Sequence, residues 1–173
     1  MARRRLKRLY LLRHAKSSWD DAGVADHGRP LAPRGRKATT LIAEHLRREQ
    51  ITPDLVLCSS ARRARETLEG ISPPLDGDTP VEVEKGLYGA SERDLLDRVH
   101  RLSDDVDSAM LIGHNPGIHA LALSLAGGGA EESGIEQKYP TGALATFEFE
   151  GGWQDLEPGA ANLVAFVRPK DLS

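Results

Sequence analysis

Apolar positions alternate between two rhythms along this chain. Continuous runs at residues 8–12, 54–58 and 109–112 have the length and content of buried strands. Between them the apolar residues are spaced for helices. Ala38, Leu41, Ile42, His45 and Leu46 share one face of an amphipathic helix over 35–50. Ser59 and Ser60 stand where they can cap a second helix over about 61–69. Leu95, Leu96, Val99 and Leu102 form a third stripe. It lies behind Ser91-Glu92-Arg93-Asp94, a capping box with Asp in place of the usual Glu. Ile118, Leu121, Ala122 and Leu125 form a fourth, stopped by Gly127-Gly128-Gly129. Val81 and Val83 alternate with glutamates as a short strand, and residues 144–150 and 162–168 close the chain as two more. Glycine, proline and polar residues make loops of 20–34, 72–80 and 131–141.

Strands and helices in alternation predict an α/β fold, a three-layer αβα sandwich. Its sheet is mostly parallel and covered on both faces. The last two strands have no helix between them and are expected to pair as an antiparallel edge. A length of 173 residues fits one domain spanning 1–173. Residues 1–7 are rich in Arg and Lys and read as a solvated basic tail.

Composition narrows the function classes. The net charge of −3 gives no reason to expect a nucleic-acid or anionic-membrane partner. Cys58 is the one cysteine, so neither a disulfide framework nor a Cys-built zinc site is available; a reducing cytoplasm fits. No His, Asp and Glu spacing suggests a metal site, and no cofactor is expected. No apolar stretch approaches the roughly 20 residues of a membrane span. The start of the chain lacks the apolar region of a signal peptide.

Chemistry gathers where the strands end. The first predicted strand runs into Arg13-His14, the second into Ser59-Ser60-Ala61-Arg62-Arg63, and the third strong one into His114-Asn115. Parallel strands bring these ends to one edge of the sheet, which is where open α/β sheets bind ligands. Each residue alone has an ordinary structural explanation. Together, guanidiniums, imidazoles and helix N-termini suit a phosphoryl group, whose oxygens accept forked and backbone hydrogen bonds.

The stretches "LLRHAKSSWD", "SSARRARET" and "IGHNPG" resemble the histidine phosphatase superfamily, also called phosphoglycerate mutase-like. Its Arg-His pair, with a Trp five residues on, matches Arg13, His14 and Trp19. Its Ser and Arg-Ala-x-x-Thr run matches Ser59 and residues 63–67, and its later His matches His114. Within the superfamily the chain is similar to the small bacterial phosphohistidine phosphatases, with "RHAKSSW" for the usual "RHGET". The resemblance implies a phosphatase acting on a phosphomonoester or phosphoramidate, phosphohistidine foremost, without a metal. His14 would become phosphorylated, while Arg13, Arg63 and His114 hold the phosphoryl oxygens. Arg62, next to Arg63, reads as a solvated helix residue. Ser17 and Asn115 are further substrate-binding candidates, and Lys16 also flanks the nucleophile.

Departures from the family pattern matter as well. Asp20 stands where relatives carry Asn, and reads as a turn residue. The acid Glu of other members lies three residues before a Tyr-Gly pair; Lys85 occupies that place before Tyr88-Gly89. Glu84, one position off, is the candidate general acid, with Glu92 and Asp94 as other carboxylates nearby. The expected partner is a phosphorylated small molecule or a phosphohistidine protein. The competing readings are a mutase-type phosphotransferase and a catalytically weak phospho-ligand binding module.

Overall fold

The computed structural model describes residues 6–75, 77–128 and 130–173. Its strands are β1 (Leu6–Arg13), β2 (Leu55–Ser59), β3 (Val81–Glu84), β4 (Ser108–Gly113), β5 (Ala126–Gly128), β6 (Leu144–Glu150) and β7 (Ala161–Val167). They form one sheet in the order β3-β2-β4-β1-β6-β7-β5. β6 is antiparallel to both of its neighbours, β1 and β7, and the other neighbouring pairs are parallel. The helices are α1 (Pro33–Arg48), α2 (Arg62–Ile71), α3 (Glu92–His100), α4 (Gly117–Leu125), α5 (Ala130–Ser133) and α6 (Pro169–Leu172). Among the described residues no helix is long and apolar enough to cross a membrane.

Alternation along β1 builds both faces of the sandwich, because successive side chains of a strand point to opposite sides. Leu9 and Leu11 pack with Leu95 and Val99 of α3, Leu121 and Leu125 of α4, and Trp153. Tyr10 and Leu12 pack on the other face with Ile42 and Leu46 of α1, Ile71 of α2 and Leu172 of α6. Each fully buried Leu or Ile contributes about 1.5–3 kcal/mol relative to exposure. The result is the expected three-layer α/β arrangement, with the helical stripes turned to the sheet.

The expected basic tail is corrected where it meets β1. The strand begins at Leu6, and the Lys7 side chain is 2% exposed. Its ammonium donates to the carbonyls of Asp104 (2.7 Å) and Val106 (2.9 Å) and pairs with Asp107 (3.1 Å). Three acceptors compensate the desolvation that an unpaired buried ammonium could not survive. Residues 1–5 lie outside the described residues, as do Asp76 of the expected 72–80 loop and Gly129 of the expected glycine stop.

Two further details differ from expectation. After α4 the glycines pair with β7 as a strand, β5, and do more than end the helix. A Cβ on Gly127 would lie 2.2 Å from the Gly159 carbonyl oxygen, so the close approach requires glycine. A segment without side chains offers no hydrophobic alternation from which to read it. At α2 the cap residue is Ala61, with no side-chain cap bond. Ser59 Oγ accepts from the Ala61 amide (3.2 Å) and also contacts His114, while Ser60 Oγ meets His27. Both serines serve the sheet edge. The Ser91/Asp94 capping box of α3 forms as expected.

Parallel β1, β2 and β4 place Arg13, Ser59 and Gly113 at one edge. The first turn of α1 lies directly on the backbone beyond His14: a Cβ on Gly35 would come within 2.1 Å of the Lys16 carbonyl.

Candidate active site

His14 follows β1 and is buried. Its Nδ1 lies 2.8 Å from the Ala15 carbonyl, an acceptor only, so Nδ1 carries the proton and donates it there. Nε2 is then the nitrogen that carries the in-plane lone pair. Burial pushes the His14 pKa down to about 3; the charges of His114, Arg63 and Arg13 push the same way, against the Ala15 hydrogen bond. The ring is neutral and nucleophilic at ordinary pH.

Arg63, the second residue of α2, reaches this nitrogen with its Nε, 3.4 Å away. Arg62 points elsewhere and pairs with Glu66 four residues on (3.1 Å). The link between α2 and His14 explains the spacing of the Arg-Ala-x-x-Thr run. Thr67 Oγ donates to the Arg63 carbonyl (2.7 Å) and accepts from the Ala15 amide (2.9 Å). One turn of helix thus registers the arginine against the residue after the histidine.

His114 follows β4, its ring centroid 5.0 Å from that of His14 and tilted 52°. Its Nε2 meets Ser59 Oγ at 2.7 Å, and its Nδ1 is buried without a protein partner. Burial first, and then the nearby Arg63, push its pKa down to about 4. Arg13 donates from Nη1 to the Tyr139 carbonyl (3.0 Å), while its Nε is a second buried nitrogen without a protein partner. Buried polar groups are normally paired. Unpaired nitrogens on Arg13 and His114, together with Arg63, are the donor set that an oxyanion would satisfy.

The other expected binding residues have protein partners of their own. Asn115 donates one N–H of its amide to the Tyr139 carbonyl (3.0 Å) and keeps a second N–H that a phosphate oxygen could accept, while its Oδ1 is buried without a protein partner. The bond it makes holds the 139 segment beside Arg13, which donates to the same carbonyl. Ser17 Oγ accepts from Arg29 (2.9 Å), and Arg29 in turn pairs with Asp26 (3.4 Å). Lys16 is exposed and faces a cavity between α1 and α6. Asp20 is an exposed loop residue whose amide donates to Ser18.

Geometry does not favour Glu84 as a proton donor. At the end of β3, its carboxylate is gripped by Arg98 through Nε (2.8 Å) and Nη2 (2.8 Å). The Arg98 guanidinium holds its pKa below the ordinary carboxylate value, so Glu84 is ionised. Asp94 is occupied in the α3 cap, and Glu92 is an acid of the same first turn.

The carboxylate that does meet the site is Asp26, in the short 3-10 turn Asp26–Gly28. It accepts from Tyr88 OH (2.5 Å) and Arg63 Nη2 (3.1 Å), and its carbonyl accepts from Arg63 Nη1 (2.7 Å). The Tyr88 hydrogen bond first, and then Arg63, hold its pKa below the ordinary value. Asp26 is therefore an ionised anchor for Arg63. Tyr88 sets its ring edge-on to His27 (4.8 Å) and His114 (5.6 Å). Trp19, 71% exposed, lies over the Arg29 guanidinium at 3.4 Å. Sequence patterning carried no signal for Asp26: it shares a polar loop with Asp20 and Asp21, and nothing local separates the three.

Comparison with known proteins agrees with this geometry. The family model of the histidine phosphatase superfamily (branch 1) matches residues 9–95. A Mycobacterium tuberculosis protein described only as uncharacterized is 40% identical over 165 residues, covering 92% of this chain and 100% of that one. A solved SixA phosphohistidine phosphatase candidate from Nakamurella multipartitia has a TM-score of 0.82 at 29% identity, covering 95% of this chain and 96% of that chain. A second SixA candidate, from Agrobacterium tumefaciens, has a TM-score of 0.82 at 28% identity, covering 94% and 98%.

Proposed function

The chain belongs to the histidine phosphatase superfamily, and from that membership we propose that it is a phosphohistidine phosphatase working through a phosphorylated His14. The observation that carries this reading is the state of His14. Its proton is committed to the Ala15 carbonyl, and Nε2 faces Arg63 at 3.4 Å with His114 beside it.

In the first step the Nε2 lone pair attacks phosphorus, and the bond to the leaving group breaks with its electron pair. Charge on the equatorial oxygens is met by Arg13, Arg63 and His114, donors already in place before the substrate arrives. In the second step water attacks the phosphorus, the P–Nε2 bond breaks, and orthophosphate leaves a neutral His14. Two substitutions at phosphorus replace one harder hydrolysis.

The leaving group decides which substrates suit the site. An alkoxide needs a proton at departure, a service worth roughly 10²–10⁴-fold. Glu84 is bound to Arg98 and Asp26 to Arg63 and Tyr88, both as carboxylates. A phosphoramidate nitrogen takes up its proton from solvent, and imidazole then leaves neutral. That chemistry favours phosphohistidine, on a protein or as the free amino acid, over alkyl phosphates. The test is a substrate panel: phosphate release from a phosphohistidine peptide, and neither release nor isomerisation with 3-phosphoglycerate. Efficient isomerisation would instead make the chain a mutase.

A further inference from the structure

A cavity of about 440 Å³ opens beside the candidate active site, between the first turns of α1, the loop at 140–141 and α6. Five cations line it: Lys16, Arg34, Lys37, Arg168 and Lys170. Among the described residues no Asp or Glu side chain does, although the chain has 26 acidic residues against 23 basic ones. Arg168 is paired with Asp171 (3.0 Å). Among the described residues no ion pair joins Lys16, Arg34, Lys37 or Lys170 to a carboxylate. Ala38, Leu41, Pro140 and Pro169 form the apolar walls, with Thr141 and Ser173 beside them. A concave site of this volume, apolar within and charged at a few points, is the form that small-molecule sites take.

The cavity is built onto the backbone of the nucleophile. Lys16 is two residues beyond His14, which limits the separation of their α-carbons to about 7 Å. Gly142 donates its amide to the carbonyls of both Arg13 and His14 (3.0 Å each). At the same residue a Cβ would meet Pro169 Cγ at 2.8 Å. Like charges held together repel, and an anion among them relieves that repulsion.

We propose that this cavity binds an organic anion, a carboxylate or phosphate carried on a small apolar body, at a site separate from the catalytic phosphoryl site. The anion comes either from a second acidic group of the substrate or from a separate small acid. The assignment does not depend on the phosphatase reading, since binding is measured without turnover.

The probe for binding is benzene-1,3,5-tricarboxylate, titrated calorimetrically into the full chain at low ionic strength. Binding is expected in the native protein and equally in His14→Ala. The triple variant Arg34→Gln/Lys37→Gln/Lys170→Gln should weaken it about tenfold or more, the sum of three exposed charge contacts. A control with the same charge change elsewhere, Arg47→Gln/Arg48→Gln/Arg101→Gln, should bind as the native chain does. Absence of binding at millimolar probe, or equal losses in the two triple variants, overturns the proposal. The source is read from turnover of phenyl phosphate and of an aryl phosphate bearing a flexible carboxylate arm. If the anion is the substrate's own, the first triple variant raises KM for the carboxylate substrate alone. If it is a separate acid, the tricarboxylate changes phenyl phosphate turnover without competing with it. Binding of the tricarboxylate purely in competition with phenyl phosphate would place it in the catalytic site and also overturn the proposal.

Discussion

Thr67 Oγ accepts the backbone amide of Ala15 at 2.9 Å, joining the first turns of α2 to the residue that follows His14. The same hydroxyl donates to the Arg63 carbonyl, so one side chain fixes the arginine and the imidazole against each other. Thr67→Val keeps the shape and removes both bonds. The buried Ala15 amide then lacks a partner, a loss of about 1–3 kcal/mol in stability. Catalysis should fall by roughly 10–10²-fold through misplacement, with a cooperative thermal transition retained. Steady-state kinetics beside a melting curve separates the two effects.

Arg63 and Arg62 offer a test by neighbours. Arg63→Ala removes the guanidinium facing His14 and should lower kcat/KM by at least ~10²-fold. Arg62→Ala removes an exposed pair with Glu66 and should change kcat/KM by no more than about threefold. Equal losses would mean that proximity to His14 does not decide the role.

Much of this edge was legible in the sequence because it depends on where strands stop. Apolar runs that turn abruptly into Arg13-His14 and His114-Asn115 mark both the end of β1 and β4 and the side on which they end. What could not be read depends on residues meeting from afar. Asp26 contacts Arg63 across 37 positions, through a 3-10 turn with no periodicity. Lys7 belongs to a run of cations, and its burial depends on the carbonyls of Asp104 and Val106 and the Asp107 carboxylate, about a hundred positions away. Glu84 lay close to the family position for an acid, but Arg98, on the following helix, claims it.

Lys7 gives a prediction about stability. Lys7→Ala removes the ammonium's bonds to the Asp104 and Val106 carbonyls and leaves a void beside Trp153, whose Nε1 still donates to the Val106 carbonyl (2.7 Å). A loss of about 2–4 kcal/mol is expected, with kcat/KM per folded molecule unchanged. Urea denaturation monitored by Trp fluorescence measures it.

Stability should also decline in mild acid. His14 and His114 have folded pKa values near 3 and 4, below the ordinary 6.5. Above pH 6.5 neither state of the chain holds the extra protons. From 6.5 downward the unfolded chain binds them and the folded chain does not, until the pH passes about 4 and then about 3. Between pH 7.5 and pH 5 this costs on the order of 1–2 kcal/mol per imidazole. The urea midpoint should fall over that range, and fall less in His14→Asn/His114→Asn.

The leaving group gives a kinetic prediction. Phosphohistidine and aryl phosphates should exceed a simple alkyl phosphate in kcat/KM by ~10²-fold or more. Glu84→Gln should leave that ratio nearly unchanged, since its carboxylate is engaged with Arg98. A selective collapse of alkyl phosphate turnover in Glu84→Gln would restore Glu84 as the acid.

The account turns on a covalent bond to one nitrogen. Labelled phospho-donor is mixed rapidly with the protein, turnover is quenched in alkali, and the peptides are mapped. The predicted result is an acid-labile, base-stable phosphoryl group on the peptide containing His14, confined to Nε2 of that residue and absent from His14→Ala. A stoichiometric label on His114, Ser17 or Ser59, or one that persists in His14→Ala, would contradict it.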